Sequence, residues 1–333
     1  MPYFRTLFQY ETMSKIKFGT DGWRAIIAKE FTVDNVARVS VAVAKWVKVH
    51  HPGKPIVIGH DCRFAGELFA ETAAKVFVHA GIKVQLATGF VSTPMVSLGA
   101  FRAEAGMGVV LTASHNPPSY NGYKLKGIHG GPLVPEQVQE VEDMIPEEHG
   151  LDLERIDLKK AEAEGMLTYV DLETMYVDHV KKNFDLDLIA ASGLKLGYDA
   201  MYGAGQRVLP RILPSVTLLH CEHNPSFMGQ APEPIDKNLQ PFKALITKEG
   251  IQCGLATDGD ADRIGLYNAK GEFVDSHHII LLLIHYLVKY KQFSGKVVVA
   301  FSATPRVKKM CEHYGLEYQV VKIGFKWICG IMI

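Results

Sequence analysis

Short apolar runs closed by Gly, Pro, Asn or Asp alternate along this chain with longer stretches of helical period. That alternation predicts successive parallel α/β units. A helical stretch over about Val33–Val49 precedes a strand at Pro55–Gly59, and a second over about Glu67–Ala80 leads to a strand at Ile82–Ala87. A short helix near Val96–Ala103 leads to the strand Gly106–Thr112, and another helix begins near Pro135, since proline suits a first helical turn. The acidic, Pro/Gly-marked stretch from Pro146 to about Glu164 predicts a linker. Beyond it come a helix over about 171–184, strands at Leu194–Asp199 and around Val216–His220, a helix over about 238–249 and a strand at Gln252–Thr257. A third region opens near His277 with an apolar helix, then a strand at Lys296–Phe301, a helix over about 305–314 and a strand at Glu317–Lys322. The expected division is a disordered extension over 1–12, a first domain over 13–150, a linker over 151–170, a second domain over 171–272 and a partial third over 273–333.

Composition adds only exclusions. The chain is 47% apolar and 22% charged, with 36 Lys plus Arg against 36 Asp plus Glu. This is ordinary globular usage, and its balance points to neither nucleic acid nor an anionic membrane as partner. Cys62, Cys221, Cys253, Cys311 and Cys329 form no CxxC pair and read as thiols of a reducing compartment. The longest aliphatic run, Ile279–Val288, falls short of the roughly 20 residues a membrane helix needs. A cytoplasmic location is expected. The opening residues show no period before Met13, and the helical pattern after Gly324 runs into CGIMI without a cap.

Two loops carry candidate chemistry. Thr112-Ala-Ser-His-Asn-Pro-Pro118 follows a buried-looking strand, which places Ser114 at the carboxyl end of a parallel strand, where ligands bind. No G-x-S-x-G elbow surrounds it, and its neighbour His115 does not by itself make a triad. Asp258-Gly-Asp-Ala-Asp-Arg263 also ends an apolar run, and in an extended segment its alternate carboxylates converge on one side. Their mutual repulsion calls for a hard cation. An EF-hand fails because Arg263 stands where glycine is needed and Ala269 where a bidentate glutamate is needed. Three carboxylates fill only part of an octahedron, so Mg²⁺ is favoured over Ca²⁺. Arg263 beside them suits a phosphate, and together these features suggest phosphoryl transfer. The Gly203-Ala-Gly205 turn lacks a dinucleotide fingerprint, because Val208 takes the third glycine's place, and no P-loop occurs.

With these loops, Phe18-Gly-Thr-Asp-Gly-Trp-Arg24 and Asn121-Gly-Tyr-Lys124 complete an ordered motif set that resembles the α-D-phosphohexomutases. The resemblance runs from about Met13 to the end. It implies similar α/β domains with mixed sheets sandwiched by helices, three in succession, followed in the family by a fourth. It implies a phosphoserine at Ser114 and one Mg²⁺ held by that phosphate with Asp258, Asp260 and Asp262. The implied reaction interconverts hexose 1- and 6-phosphates through a hexose 1,6-bisphosphate, which also serves as activator. Lys124 matches the family's acid/base lysine, and it reads as an unpaired lysine whose burial would suit that task. His115 is implied in proton transfer or in holding the loop, Arg24 lies near the phosphoserine, and Lys322 and Arg263 are implied in substrate binding. The family's sugar-reading Gly-Glu-x-Ser-Gly loop and phosphate-gripping Arg-x-Ser-Gly-Thr loop have no counterpart here. A C-terminally truncated member is therefore expected, with the third domain incomplete, the fourth absent, apolar faces exposed and turnover impaired. Glucose or mannose phosphate is the expected substrate. A phosphoglucosamine mutase, a non-catalytic sugar-phosphate-binding module and an aspartate-nucleophile phosphatase are the alternatives, and oligomeric state is not legible.

Overall fold

The computed structural model describes residues 16–19 and 22–333, so the extension expected over 1–12 lies outside the described residues. In the first unit β1 (Trp23–Ile26), α1 (Val33–His50), β2 (Ile56–His60), α2 (Gly66–His79), β3 (Val84–Ala87), α3 (Thr93–Arg102), β4 (Met107–Leu111), β5 (Tyr120–Lys126) and α4 (Pro135–Asp143) follow in order. Thr32 caps α1, its hydroxyl accepting the Asn35 N–H at 3.2 Å. Val36, Val39, Val43, Trp46 and Val47 then recur at helical spacing, and all five are buried with α2 against one sheet face.

The stretch 151–170, expected as a linker, belongs instead to this unit. It holds α5 (Leu158–Ala163) and β6 (Leu167–Val170), and β6 pairs parallel with β3. Its acidic composition reflects exposed positions, while Ala161 and Leu167 are buried in the first core. The six-stranded sheet runs β1-β5-β4-β2-β3-β6. Its four strands from β4 to β6 are parallel, and β5 and β1 are added antiparallel at one edge. All five residues of β4 are buried, as a parallel strand covered on both faces requires.

The next helix, α6 (Leu172–Asn183), opens the stretch expected as the second domain and packs on the first. It sends Leu172 and Val177 into the core that α3 forms on the other face of the first sheet. After α7 (Leu186–Ala191), the second unit comprises β7 (Leu196–Asp199), α8 (Val208–Ile212), β8 (Thr217–Leu219), α9 (Gln240–Glu249), β9 (Cys253–Thr257), β10 (Ile264–Asn268) and β11 (Phe273–Val274). Its sheet order is β11-β10-β9-β7-β8, parallel from β8 to β9 and antiparallel beyond. Phe242 and Ile246 of α9 pack on Ala256 and Tyr267.

The third unit has α10 (Ser276–His285), which continues as a π turn over Tyr286–Tyr290, then β12 (Lys296–Ala300), α11 (Arg306–Tyr314), β13 (Glu317–Val321) and α12 (Phe325–Met332). Its two strands are parallel. Three consecutive α/β units with mixed sheets thus make up the fold. Among the described residues, no helix is long and apolar enough to cross a membrane.

Candidate active site and metal centre

The serine loop leaves the carboxyl end of β4 and the aspartate loop leaves that of β9, so the two loops of different units meet where parallel strands place ligands. Ser114 is buried and left-handed, with φ 54°, a conformation costing a non-glycine residue about 1–2 kcal/mol. Its hydroxyl donates to Asp258 Oδ2 at 2.7 Å, across 144 residues. The approach is close enough that a Cβ at Gly259 would lie 2.5 Å from the Ser114 carbonyl oxygen, so only glycine fits there. The β4–β5 pairing sets Lys124 opposite Val110. From there its ammonium donates to Asp260 Oδ2 at 2.7 Å and Asp262 Oδ2 at 2.9 Å. The unpaired lysine expected from its neighbours Tyr123 and Leu125 is therefore corrected to a buried, ion-paired one, because partners 136 and 138 residues away do not show in a local sequence window.

A scaffold that the sequence reading passed over holds the serine loop. Arg63, buried just after β2, donates to the carbonyls of Ser114, Asn116, Pro117 and Tyr120 at 2.6–3.0 Å. Its Nε lies 3.3 Å from Asp61 Oδ2. Asp61 in turn accepts the Thr112 hydroxyl at 2.5 Å, and Thr112 Oγ1 accepts the Ser114 N–H at 2.9 Å. Burial pushes the Asp61 carboxyl up to about 6 despite Arg63 and these donors. In sequence, the DxR spacing of Asp61 and Arg63 is the one sign of a pairing that this segment offers.

The three aspartates each offer an oxygen within 4.8 Å of the others. Burial, then repulsion from Asp260 and Asp262, drives the Asp258 carboxyl well above the ordinary range. Burial pushes Asp260 in the same direction, but the Lys124 ammonium and the Thr93 hydroxyl outweigh it and hold Asp260 below that range. Asp260 Oδ1 is buried and accepts no hydrogen bond among the described residues. A buried oxygen without a donor is costly, and a hard divalent cation would satisfy it while relieving the repulsion. An all-oxygen donor set beside a serine hydroxyl fits Mg²⁺, with Asp258, Asp260 and Asp262 able to hold it.

The remaining residues singled out in sequence divide into two groups. His115 Nδ1 lies 3.4 Å from Ser114 Oγ, and Arg24 donates to Asn116 Oδ1 at 2.9 Å, so both reach the serine loop. Burial, with the Arg263 and Arg24 charges, pushes His115 down to about 4, leaving a neutral ring near pH 7. Arg263 is exposed beside the cluster, and its backbone N–H donates to Asp258 Oδ1 at 3.1 Å. Lys322 is not drawn to the cluster by any described contact. Its ammonium lies 5.1 Å from the Trp327 ring, on a groove of about 690 Å³ between α4 and the third unit.

Comparison with known proteins agrees with this architecture. Family profiles for phosphoglucomutase/phosphomannomutase alpha/beta/alpha domains I, II and III match residues 15–151, 174–271 and 275–333. A phosphoglucosamine mutase of Desulforamulus reducens is 30% identical over 320 residues, covering 95% of this chain and 70% of that protein. A phosphoglucomutase/phosphomannomutase of Thermococcus kodakarensis is 27% identical over 312 residues, covering 92% and 67%. Among solved structures, a protein of Thermus thermophilus provisionally designated a phosphomannomutase superposes with TM-score 0.87 at 33% identity, over 96% of this chain and 71% of that one.

Proposed function

This chain belongs to the phosphoglucomutase/phosphomannomutase family, and from that premise we propose that Ser114 carries a phosphoryl group between the 1- and 6-oxygens of a hexose phosphate. Enzymes of this family are isomerases that act as intramolecular phosphotransferases. The observation that carries the residue-level reading is the buried Ser114 hydroxyl, 2.7 Å from Asp258 in a cluster of three carboxylates and one lysine. In the first half-reaction the P–Oγ bond of phosphorylated Ser114 breaks as a bond forms from phosphorus to a free hydroxyl of the sugar monophosphate. The proton lost by that hydroxyl ends on Ser114 Oγ. His115, 3.4 Å from Oγ, and Lys124, on the same carboxylate cluster, are the groups proposed to pass it. The hexose 1,6-bisphosphate then presents its other phosphate, Ser114 Oγ attacks it, and the departing sugar oxygen takes the proton back. When bound by Asp258, Asp260 and Asp262, Mg²⁺ supplies charge neutralisation for the moving phosphoryl group. Arg24 is proposed to hold the serine loop through Asn116, and Arg263 and Lys322 to meet substrate phosphate or hydroxyls.

Glucose and mannose phosphates are the substrates we propose. Glucosamine phosphate is the second reading, favoured by the phosphoglucosamine mutase names that relatives at 26–30% identity carry. The balanced charge and five free cysteines support a cytoplasmic site of action without nucleic-acid partners. The test is incubation of the full chain with hexose 1,6-bisphosphate labelled with ³²P at both phosphates, followed by peptide mass spectrometry and assays on the three 1-phosphates. Label on Ser114, lost in Ser114→Ala, is expected. Label that survives in Ser114→Ala would sink the carrier assignment, and the 1-phosphate turned over fastest identifies the sugar.

A further inference from the structure

Asp260 is gripped from outside its own unit. Thr93, the first residue of α3, is buried, and its hydroxyl donates to Asp260 Oδ2 at 2.5 Å across 167 residues. Its backbone N–H donates to the Asp260 carbonyl at 3.0 Å. The helix needs neither group for its own start. Ser92 serves as the cap, its Oγ accepting the Met95 N–H at 3.3 Å, and the first-turn N–H groups of a helix have no partner within it. Lys124 donates to the same Oδ2 at 2.7 Å. With Oδ2 engaged twice, Oδ1 is the oxygen left without a hydrogen bond among the described residues. An aspartate carboxylate turns easily about its last bond unless an oxygen is fixed, because that torsion has only broad minima.

We propose that Thr93 is a positioning residue of the metal centre. Its two-point clamp fixes the Asp260 carboxylate so that Oδ1 is presented to the cation, and it makes cation affinity depend on the first and second units being apposed. The proposal rests on the metal-centre reading above. Partners that orient a ligating carboxylate typically change metal affinity by about 10–100-fold.

The test is a calorimetric titration of the EDTA-treated, desalted full chain with Mn²⁺, comparing wild type with Thr93→Val, Thr93→Ser and Thr93→Ala. Thr93→Val and Thr93→Ala should raise the Kd for Mn²⁺ by about tenfold or more, while Thr93→Ser, which keeps the hydroxyl, should stay within about threefold. Melting in EDTA checks that each variant is folded. If Thr93→Val does not fold, the Ser/Ala pair, which differs only in the hydroxyl, carries the comparison. Unchanged affinity in Thr93→Ala overturns the clamp, and so does a Thr93→Ser that loses as much as Thr93→Ala. A wild-type protein that takes up no Mn²⁺ overturns the metal-centre reading itself, and the clamp falls with it. Wild-type binding shared equally by all variants overturns the clamp alone.

Discussion

Asp199 ends β7 and His220 follows β8, and their side chains meet at 3.0 Å with the Tyr202 ring tilted over the imidazole at 4.7 Å. The hydrogen bond to Asp199, opposed by burial, raises His220 above its ordinary 6.5. A histidine whose folded value lies above its unfolded one binds more protons when folded. Its stabilisation is therefore complete below about pH 6.5 and is lost as pH rises through the folded value. Asp199 is buried and His220 only partly exposed, so the pair is sheltered from much of the solvent's screening. Urea unfolding between pH 5.5 and 8.5 should show wild type losing more stability than His220→Gln, and parallel curves would count against the pair. At this scale Ser114 and the three aspartates were legible because their spacing carries its own chemistry. Arg63 and Thr93 were not, since their partners, four loop carbonyls for one and Asp260 for the other, lie at least 51 residues away.

Among the secondary elements, room for α9 is made by glycines in the strands beneath it. A Cβ at Gly254 of β9 would lie 2.6 Å from Ile246 Cδ1 and 3.0 Å from Phe242 Cε1, in the middle of the second core. Gly254→Ala should cost about 1–3 kcal/mol through overpacking, measured by urea unfolding, and a neutral result would mean that α9 shifts freely on the sheet. The helix-and-strand alternation that predicts such packing was readable, because α1, α2, α9 and the parallel strands are apolar where they are covered. The antiparallel strand β5 escaped it. Its sequence YNGYKLK looks polar, yet Asn121, Lys124 and Lys126 are all buried. Two of those polar side chains have inward-facing duties that no periodicity rule weighs. Asn121 Oδ1 accepts the Gly122 N–H, and Lys124 enters the carboxylate cluster. Strand β6 was missed for another reason: only Leu167 of its four residues is buried, and the short, charged helix before it resembles a linker.

For the whole molecule, cohesion is uneven. The third unit's own core is built on Ile284, Val299, Val307 and Cys311, while Leu282 and Leu283 of its first helix, Tyr290 and Phe293 in the stretch that follows, and Phe301 and Phe325 stand exposed. Thermolysin under native conditions should therefore cut first between about residues 286 and 296, where the π turn and the left-handed Gln292 interrupt the chain. The product should keep its Mn²⁺ affinity, because every residue of the cluster precedes it. A first cut inside the six-stranded sheet would contradict this ranking. The joining of Ser114 to Asp258 across the chain also has a consequence in time. A ribosome emits about 5–20 residues per second. The 144 residues between these partners thus take roughly 7–29 s to synthesise. Through that interval the nascent first unit exposes a serine that lacks its aspartates, so the protein cannot acquire its charge cluster, or any activity that depends on it, until the second unit has emerged and docked.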